Sequence, residues 1–440
     1  MSPYFDPEVE TASPERLREI QFRKLKKLLE VVSNSNPFYQ KKFQEHGVKP
    51  EEIKSLEDIR KLPFSYKEEY LRDQEENPPF GTNLSEPLEN FIRYHQTTGT
   101  TGVPLKWLET RESWQWRRKI AAMAVRAAGV LPTDIAFFAF SFGPHVAFWG
   151  LLQGVQEIGA LAISGGGWDT AQRVRCIMEN QVTVLCCTPT YALRIAEVAK
   201  ENGIELKESS LRLMIVGGEP GALVPSVRKK ILETTGATPY DYSGLTEIGV
   251  YGFQCQHQER AIHVIESEFL LEVLDPKTGE PVPEGELGEM VLTNLGRICS
   301  PTIRFHTGDL VRVKKGQCPC GRTFRMLAGG VLGRADDMIT IRGLNIFPSE
   351  VGEIVERHLL VGDEYQVAAF NTKGVGELKV TLELMEGRNS EEVAKALKED
   401  LRRFFEIRME VEVVPPGTLS RFEYKSKRFI DKRDERSPVA

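Results

Sequence analysis

The chain has 440 residues, too many for one ordinary hydrophobic core, so two or more domains are expected. With 41% hydrophobic and 27% charged residues it reads as globular and not disordered. Its net charge of −6, from 57 basic and 63 acidic residues, argues against a general nucleic-acid binder, which normally carries a basic excess.

In chain order, Met1 to Asp6 lacks the basic-then-apolar pattern of a signal peptide, and no apolar run reaches the roughly 18 residues of a membrane span. A cytoplasmic protein is the default expectation. From Pro14 to about His46 the pattern predicts a charged helix, a break at Ser33-Asn34-Ser35-Asn36-Pro37 and a second short helix. Thr97-Thr98-Gly99-Thr100-Thr101-Gly102-Val103-Pro104 follows. Such a loop offers bare amides and short hydroxyls with little bulk, as a backbone wrapping phosphate oxygens requires. It is not a Walker loop, because Val103 stands where the Lys would be.

Apolar runs then alternate with helical stretches. Ile135–Phe140, Val182–Cys187 and Leu211–Val216 read as strands, with helices at Tyr191–Lys200 and Pro225–Thr234. Ala237–Tyr242 leads into Ser243-Gly244. This order predicts an α/β fold with a doubly wound, mainly parallel sheet whose ligands sit at the carboxyl ends of the strands. Gly217-Gly218-Glu219-Pro220 and Ser243-Gly244-Leu245-Thr246-Glu247 fall at such ends. After about Glu266, Phe269–Leu274, a turn at Asp275–Gly279 and Glu289–Thr293 predict a small β subdomain. The Gly-rich piece Ala328–Arg334 precedes the main boundary, giving an N-terminal domain over residues 1–335 and a small α+β domain over 336–440.

Seven cysteines, an odd number, do not suggest a disulfide framework. Cys186 and Cys187 read as strand core. Cys318-Pro319-Cys320-Gly321-Arg322, with Cys255 and His263 upstream, looks like a structural zinc site, with His257 competing as the fourth ligand. Phe140, Phe142, His145 and Phe148, with Trp168 and Tyr191, make an aromatic group suited to an aryl acid. His95, just ahead of the Thr/Gly loop, reads as an ordinary loop histidine.

Five motifs in order carry a family resemblance: Thr98–Gly102, Tyr242–Glu247, Arg304–Leu310, Gly333–Met338 and Ile341–Ser349. The chain resembles the adenylate-forming acyl-CoA synthetases, and among them the phenylacetate–CoA ligase group. The resemblance covers the N-terminal helices through the Lys-rich tail. It implies an enzyme that joins a carboxylic acid to CoA through an acyl-adenylate, using ATP, Mg²⁺ and CoA as small-molecule partners. Membranes and nucleic acids are not implied, and a homodimer is compatible with it.

Carried over residue by residue, Thr97, Thr98, Gly99, Thr100, Thr101 and Gly102 would hold the β- and γ-phosphates. Glu247, with Thr246, would hold Mg²⁺. Asp309 would accept from both ribose hydroxyls, with Arg334 reaching the ribose and phosphate. Gly218, Glu219 and Pro220 would line the adenine pocket, Tyr242 would stack on the base, and Ser243 and Gly244 complete that motif. Asp336 matches the hinge of a mobile C-terminal domain. Lys425 would bridge the substrate carboxylate and the α-phosphate, although Tyr424-Lys425-Ser426 departs from the group's usual Gly-Lys-Ala and Lys427 is the alternative. The resemblance also favours His263 over His257 for the metal. An acceptor other than CoA, or a non-catalytic nucleotide-binding relative, are the competing expectations.

Overall fold

The structure, a computed structural model, describes all residues except 1, 98–102, 336–338, 342–343, 347, 361–362, 373–374, 386, 420–427 and 433–440. Among the described residues no helix is long and apolar enough to cross a membrane.

The helix Pro14–Ser35 starts where the sequence says it should. Pro14 sits in its first turn, and the Ser13 side chain accepts from the Arg16 amide. Its buried residues Leu17, Leu25, Leu28, Leu29 and Val32 recur at helical spacing. Asn36 then caps the helix Pro37–Glu45 by accepting from Tyr39 N. These helices pack Leu25, Leu28, Tyr39 and Phe43 against Leu295 and Ile303, far ahead in the chain.

Next comes a two-stranded antiparallel hairpin, β1 (Phe91–Gln96) and β2 (Lys106–Thr110), which the sequence reading did not resolve. The Thr/Gly loop joins its two strands. The helix Arg111–Ala127 follows directly, capped by the Thr110 hydroxyl.

The main sheet begins with β3 (Ile135–Phe138), β4 (Leu161–Ser164), β5 (Val184–Cys187), β6 (Leu213–Val216) and β7 (Thr238–Leu245). They lie in the order β4-β3-β5-β6-β7 and all pair in parallel. The helices Val146–Glu157, Thr170–Glu179, Pro189–Glu201 and Pro225–Thr235 link them. β5 and β6 are buried along their whole length, which is why their sequences are unbroken apolar runs.

From β7 onward the pairing turns antiparallel. β8 (Gly249–Phe253) and β9 (Ala261–Val264) continue the sheet, followed by β10 (Phe269–Leu274), β11 (Leu287–Asn294), β12 (Phe305–Lys314), β13 (Met326–Ala328) and the short β14 (Gly333–Arg334). The order runs β7-β8-β9-β13-β12-β11-β10, with β14 beside β12. The β region expected after Glu266 is therefore continuous with the parallel part, joined through β8, β9 and β13, and not a detached sheet.

The C-terminal part is α+β with a core of its own. A hairpin of β15 (Ile339–Ile341) and β16 (Leu344–Ile346) leads into the helix Pro348–Glu356. A four-stranded sheet follows, from β17 (Glu364–Thr372), β18 (Val375–Glu383), β19 (Glu410–Val414) and β20 (Phe429–Asp431), in the order β19-β18-β17-β20. The helix Ser390–Phe405 buries Leu397 and Leu401 on it, with Val351, Val355, Val367 and Val380. The expected boundary at 335/336 adjoins residues 336–338, which lie outside the described residues.

Candidate functional site

The carboxyl ends of the neighbouring parallel strands β3, β5, β6 and β7 lie side by side, and β1 reaches the segment after β3, where Gln96 N donates to Pro144 O at 3.1 Å. At the hairpin, Thr97 N donates to Leu105 O at 2.9 Å and Leu105 N donates to the Thr97 hydroxyl at 3.0 Å. These two bonds close the base of the Thr/Gly loop. Thr98, Gly99, Thr100, Thr101 and Gly102 themselves lie outside the described residues, as do Asp336, Lys425 and Lys427. His95, on β1, is 3% exposed and, among the described residues, finds no hydrogen-bond partner for either ring nitrogen. Burial, aided by the Arg117 charge, holds it neutral, with its pKa pushed down to about 4.

On the β6 side, Gly218 takes φ +92°, a backbone region that L side chains avoid, so the turn after the strand requires glycine there. The Glu219 carboxylate is engaged by the first turn of a neighbouring helix. It accepts from Thr190 N at 2.7 Å and the Thr190 hydroxyl at 2.6 Å, at the positive end of the helix Pro189–Glu201. Pro220 is exposed. Tyr242 is buried, its hydroxyl 3.4 Å from Ala147 O, and its backbone backs directly onto Gly217.

Ser243 and Gly244 lie where β7 bulges against β8. Ser243 hydrogen-bonds Tyr251, whose ring also senses the charge of Asp309, so these three groups share one wall. Asp309 is 6% exposed and pairs across β12 and β14 with Arg334, whose Nη1 lies 3.4 Å from Asp309 Oδ1 and donates to Thr307 O at 3.0 Å. Gly308 between them has φ +73°, and a Cβ there would lie 2.5 Å from the Arg334 guanidinium. The approach of that guanidinium depends on the missing side chain.

Glu247, 7% exposed, follows β7 and Thr246. Its carboxylate lies 3.5 Å from Lys67 Nζ, and its carbonyl and that of Thr246 accept from the buried Arg297. One carboxylate beside a hydroxyl residue fits Mg²⁺, which takes one or two protein carboxylates and completes its shell from phosphate and water.

The residues expected to hold the acid divide into two groups. Phe140 and Phe148 stack on each other, and Phe142 packs edge-on to Trp149 at 4.9 Å. Phe142 does so with φ +49°, a strained conformation for a non-glycine residue. His145 caps this group's helix, its Nδ1 3.3 Å from Gln96 O on the phosphate-side hairpin. Tyr191 stands apart, its hydroxyl 3.0 Å from Thr170 Oγ1 and its ring under the Arg173 guanidinium. Trp168 is 41% exposed, over Phe137.

Cys255, His263, Cys318 and Cys320 converge in the interior, with their ligand atoms all within 4.8 Å of one another. Cys255 Sγ is 3.6 Å from Cys318 Sγ, and Cys320 Sγ is 3.5 Å from His263 Nε2. Tetrahedral zinc bonds of about 2.3 Å to sulfur and 2.1 Å to nitrogen would separate ligands by about 3.8 and 3.5 Å. His263 Nδ1 is turned to Phe324 O at 3.2 Å, leaving Nε2 for the cluster. His257 is exposed and outside the group. The hydrogen bond with Cys255, then that with His263, holds the Cys320 thiol well below the ordinary thiol range. The same loop moors the chain's amino end: Tyr4 Oη donates to Cys320 O at 2.5 Å, and Arg322 pairs with buried Glu10 at 2.7 Å.

Several groups escaped the sequence reading. Lys67, Glu109, Arg117 and Arg297 meet only through the fold, and no local pattern announces them. Asp241 did leave a signal, as a lone carboxylate inside the apolar strand β7. It is buried, its pKa is pushed up to about 7 by desolvation, and it accepts from Leu223 N at 2.7 Å, fixing the loop that follows β6.

Two family models match the chain: the AMP-binding enzyme over residues 35–296 and the AMP-binding enzyme C-terminal domain over 343–433. The chain is 33% identical to the phenylacetate–coenzyme A ligase of Thermus thermophilus, covering 98% of this chain and 99% of that protein. It is 32% identical to the Escherichia coli phenylacetate–coenzyme A ligase, covering 98% of each. Among solved structures, 2-hydroxyisobutyryl-CoA ligase in its postadenylation state, with an acyl-AMP, overlays with a TM-score of 0.91 at 29% identity, covering 98% of this chain and 93% of the other. The same ligase in its thioesterification state, with CoA, overlays at 0.75 over the same shares.

Proposed function

The chain belongs to the AMP-binding enzyme family and is an ATP-dependent acid–CoA ligase; from that premise we propose that its acid is aryl or arylacetic, of the phenylacetate type. The observation that carries this is the aromatic group Phe140, Phe142, Phe148 and Trp149, joined through His145 to the phosphate-side hairpin. Offset and edge-on ring contacts contribute about 0.5–1.5 kcal/mol beyond area burial, which favours a flat ring over an alkyl chain of similar size. A second reading, a short branched hydroxy acid, is favoured by the overlay with 2-hydroxyisobutyryl-CoA ligase.

In the reaction the acid carboxylate attacks the α-phosphorus of ATP, expelling pyrophosphate, and the CoA thiol then displaces AMP. Two anions meet in the first step, so neutralising charge decides the rate. In our reading, residues Thr97–Gly102 cradle the β- and γ-phosphates, Glu247 and Thr246 hold Mg²⁺, and Asp309 with Arg334 holds the ribose. Bound Mg²⁺ would neutralise phosphate charge. Gly218, Glu219 and Pro220 border the adenine; Glu219 does so through its backbone, since its carboxylate caps a helix. Tyr242, Ser243 and Gly244 form the base-side wall, with Tyr242 as the stacking ring. Lys67 supplies a second cation beside Glu247. Phe142, His145, Phe148 and Tyr191 hold the acid. Lys425 bridges carboxylate and α-phosphate, and Asp336 serves as the hinge between half-reactions.

Cys255, His263, Cys318 and Cys320 would hold a structural zinc ion, closed to chemistry because all four positions are protein ligands. Metal analysis of the purified protein should give about one zinc per chain, and Cys320→Ser should lose it together with thermal stability. A zinc-free wild type that keeps its stability with chelator would remove this assignment. We place the protein in the cytoplasm; a homodimer is tested by sedimentation.

The functional experiment is pyrophosphate release across aryl, arylacetic and short hydroxy acids, with and without CoA. Arylacetic acids should give the highest kcat/KM. A preference for short hydroxy acids would replace the first reading by the second.

A further inference from the structure

Among the described residues Arg297 is the largest fully buried side chain, at 0% exposure. A guanidinium is expensive to strip of water, so its partners state its task. Its Nε donates to Ser300 O at 2.8 Å, its Nη1 donates to Thr246 O at 3.2 Å, and its Nη2 donates to Glu247 O. Its plane covers the Trp107 ring at 4.4 Å. Its Nη1 also lies 3.9 Å from Glu109 Oε1, which takes both Nε and Nη2 of Arg117. Glu109 and Trp107 are neighbours on β2, the strand that leaves the Thr/Gly loop.

The Thr246–Glu247 turn and the β1–β2 hairpin belong to different sheets. Around Arg297, further bonds stitch them together. Asn294 donates to Ile248 O at 2.5 Å and accepts from Arg297 N at 2.7 Å, and the Ser300 hydroxyl donates to Leu108 O at 2.9 Å. The buried charges therefore lie between the Thr246–Glu247 turn and strand β2.

We propose that Arg297 is a positioning residue for the adenylation step. It sets the carbonyls of Thr246 and Glu247, and with them the Glu247 carboxylate, and it ties that placement to strand β2 through Glu109. Arg297 touches neither substrate nor metal. A fork of three donor nitrogens to three acceptors from two segments fixes orientation as well as distance, which a single ammonium cannot do. The inference rests on Glu247 being the residue that holds Mg²⁺.

The test uses full-length Arg297→Lys, Glu109→Gln and Glu247→Gln. The first readout is ATP binding by calorimetry, without acid or CoA, in excess Mg²⁺ and in chelator. Arg297→Lys should cut the Mg²⁺-dependent gain in ATP affinity about tenfold while leaving Mg²⁺-free binding within about twofold. Glu109→Gln should move it in the same direction by less, and it decides the matter should Arg297→Lys fail to fold. The second readout splits the reaction. The Mg²⁺ needed for half-maximal pyrophosphate release should rise, while thioester formation from supplied acyl-AMP stays within about twofold. An unchanged Mg²⁺-dependent gain in both Arg297→Lys and Glu109→Gln, with Glu247→Gln impaired, overturns the positioning role alone. An unchanged gain in Glu247→Gln removes the metal role of Glu247 and the inference with it. Equal loss in both half-reactions would mark Arg297 as general scaffold and would also overturn it.

Discussion

The β1–β2 hairpin and the C-terminal domain are the two parts that our proposal brings to one nucleotide, and the fold holds them by opposite means. The hairpin is fixed from within. Glu109, Arg117 and Arg297 are at most 2% exposed, and their contacts cross from β2 to the Glu247 turn. The C-terminal domain meets the large domain through longer contacts, one of them exposed. Ser226 Oγ donates to Glu356 at 3.4 Å, Lys230 Nζ donates to Leu360 O at 3.3 Å, and Arg260 pairs with Glu353 at 3.5 Å with 66% and 38% of those side chains exposed. Buried ion pairs are costly to break, whereas exposed ones contribute little. A part that must be in place for every turnover is built the first way, and a part that would swing between half-reactions suits the second.

The largest effect expected is on stability. Arg117→Met leaves Glu109 charged, buried and short of its main partner, and should cost about 3–5 kcal/mol in denaturant unfolding. A loss below about 1 kcal/mol would mean that the hairpin is not held by charge. Next, Lys425→Ala should slow acid-dependent pyrophosphate release by about a hundredfold, close to 3 kcal/mol, with thioester formation from supplied acyl-AMP changed far less. Equal losses would count against its bridging role and would favour Lys427. Third, His95 is neutral when folded, with its pKa lowered to about 4 from 6.5. Its contribution is therefore complete above about pH 6.5 and is lost as pH falls toward 4, by up to about 3 kcal/mol at about 1.4 per unit. His95→Gln should flatten that part of the stability profile; an unaltered slope would assign the loss to other groups. The smallest effect belongs to the exposed side. Arg260→Ala should change stability by less than about 0.5 kcal/mol, and a larger change would show a tighter domain contact than the pair suggests.

The sequence disclosed what is local and periodic. The parallel strands, the helix starting at Pro14 and the motif residues at strand ends were legible because burial leaves apolar runs, proline marks a first turn, and glycine marks a positive φ. The Cys/His cluster was legible because cysteine spacing is informative, and the choice of His263 over His257, taken from the resemblance, agrees with a fold that buries one ring and exposes the other. The β1–β2 hairpin was missed because its loop drew attention as a binding motif and its flanks mix charge with aromatics. Glu219 shows the limit of motif transfer: the residue stands at the predicted place, but a helix amide claims its carboxylate. The charge network could not be read at all, since Glu109 and Arg297 are far apart in sequence and neither position has a pattern that requires a partner.

The mooring of the amino end to the cysteine loop has a consequence for synthesis. Tyr4 reaches a carbonyl 316 residues further along the chain. At about 5–20 residues per second, the opening segment would leave the ribosome roughly 15–60 s before its anchor exists. Glu10, destined for a dry pairing with Arg322, must spend that interval in water, and whatever shelters the nascent chain meets this stretch unfastened.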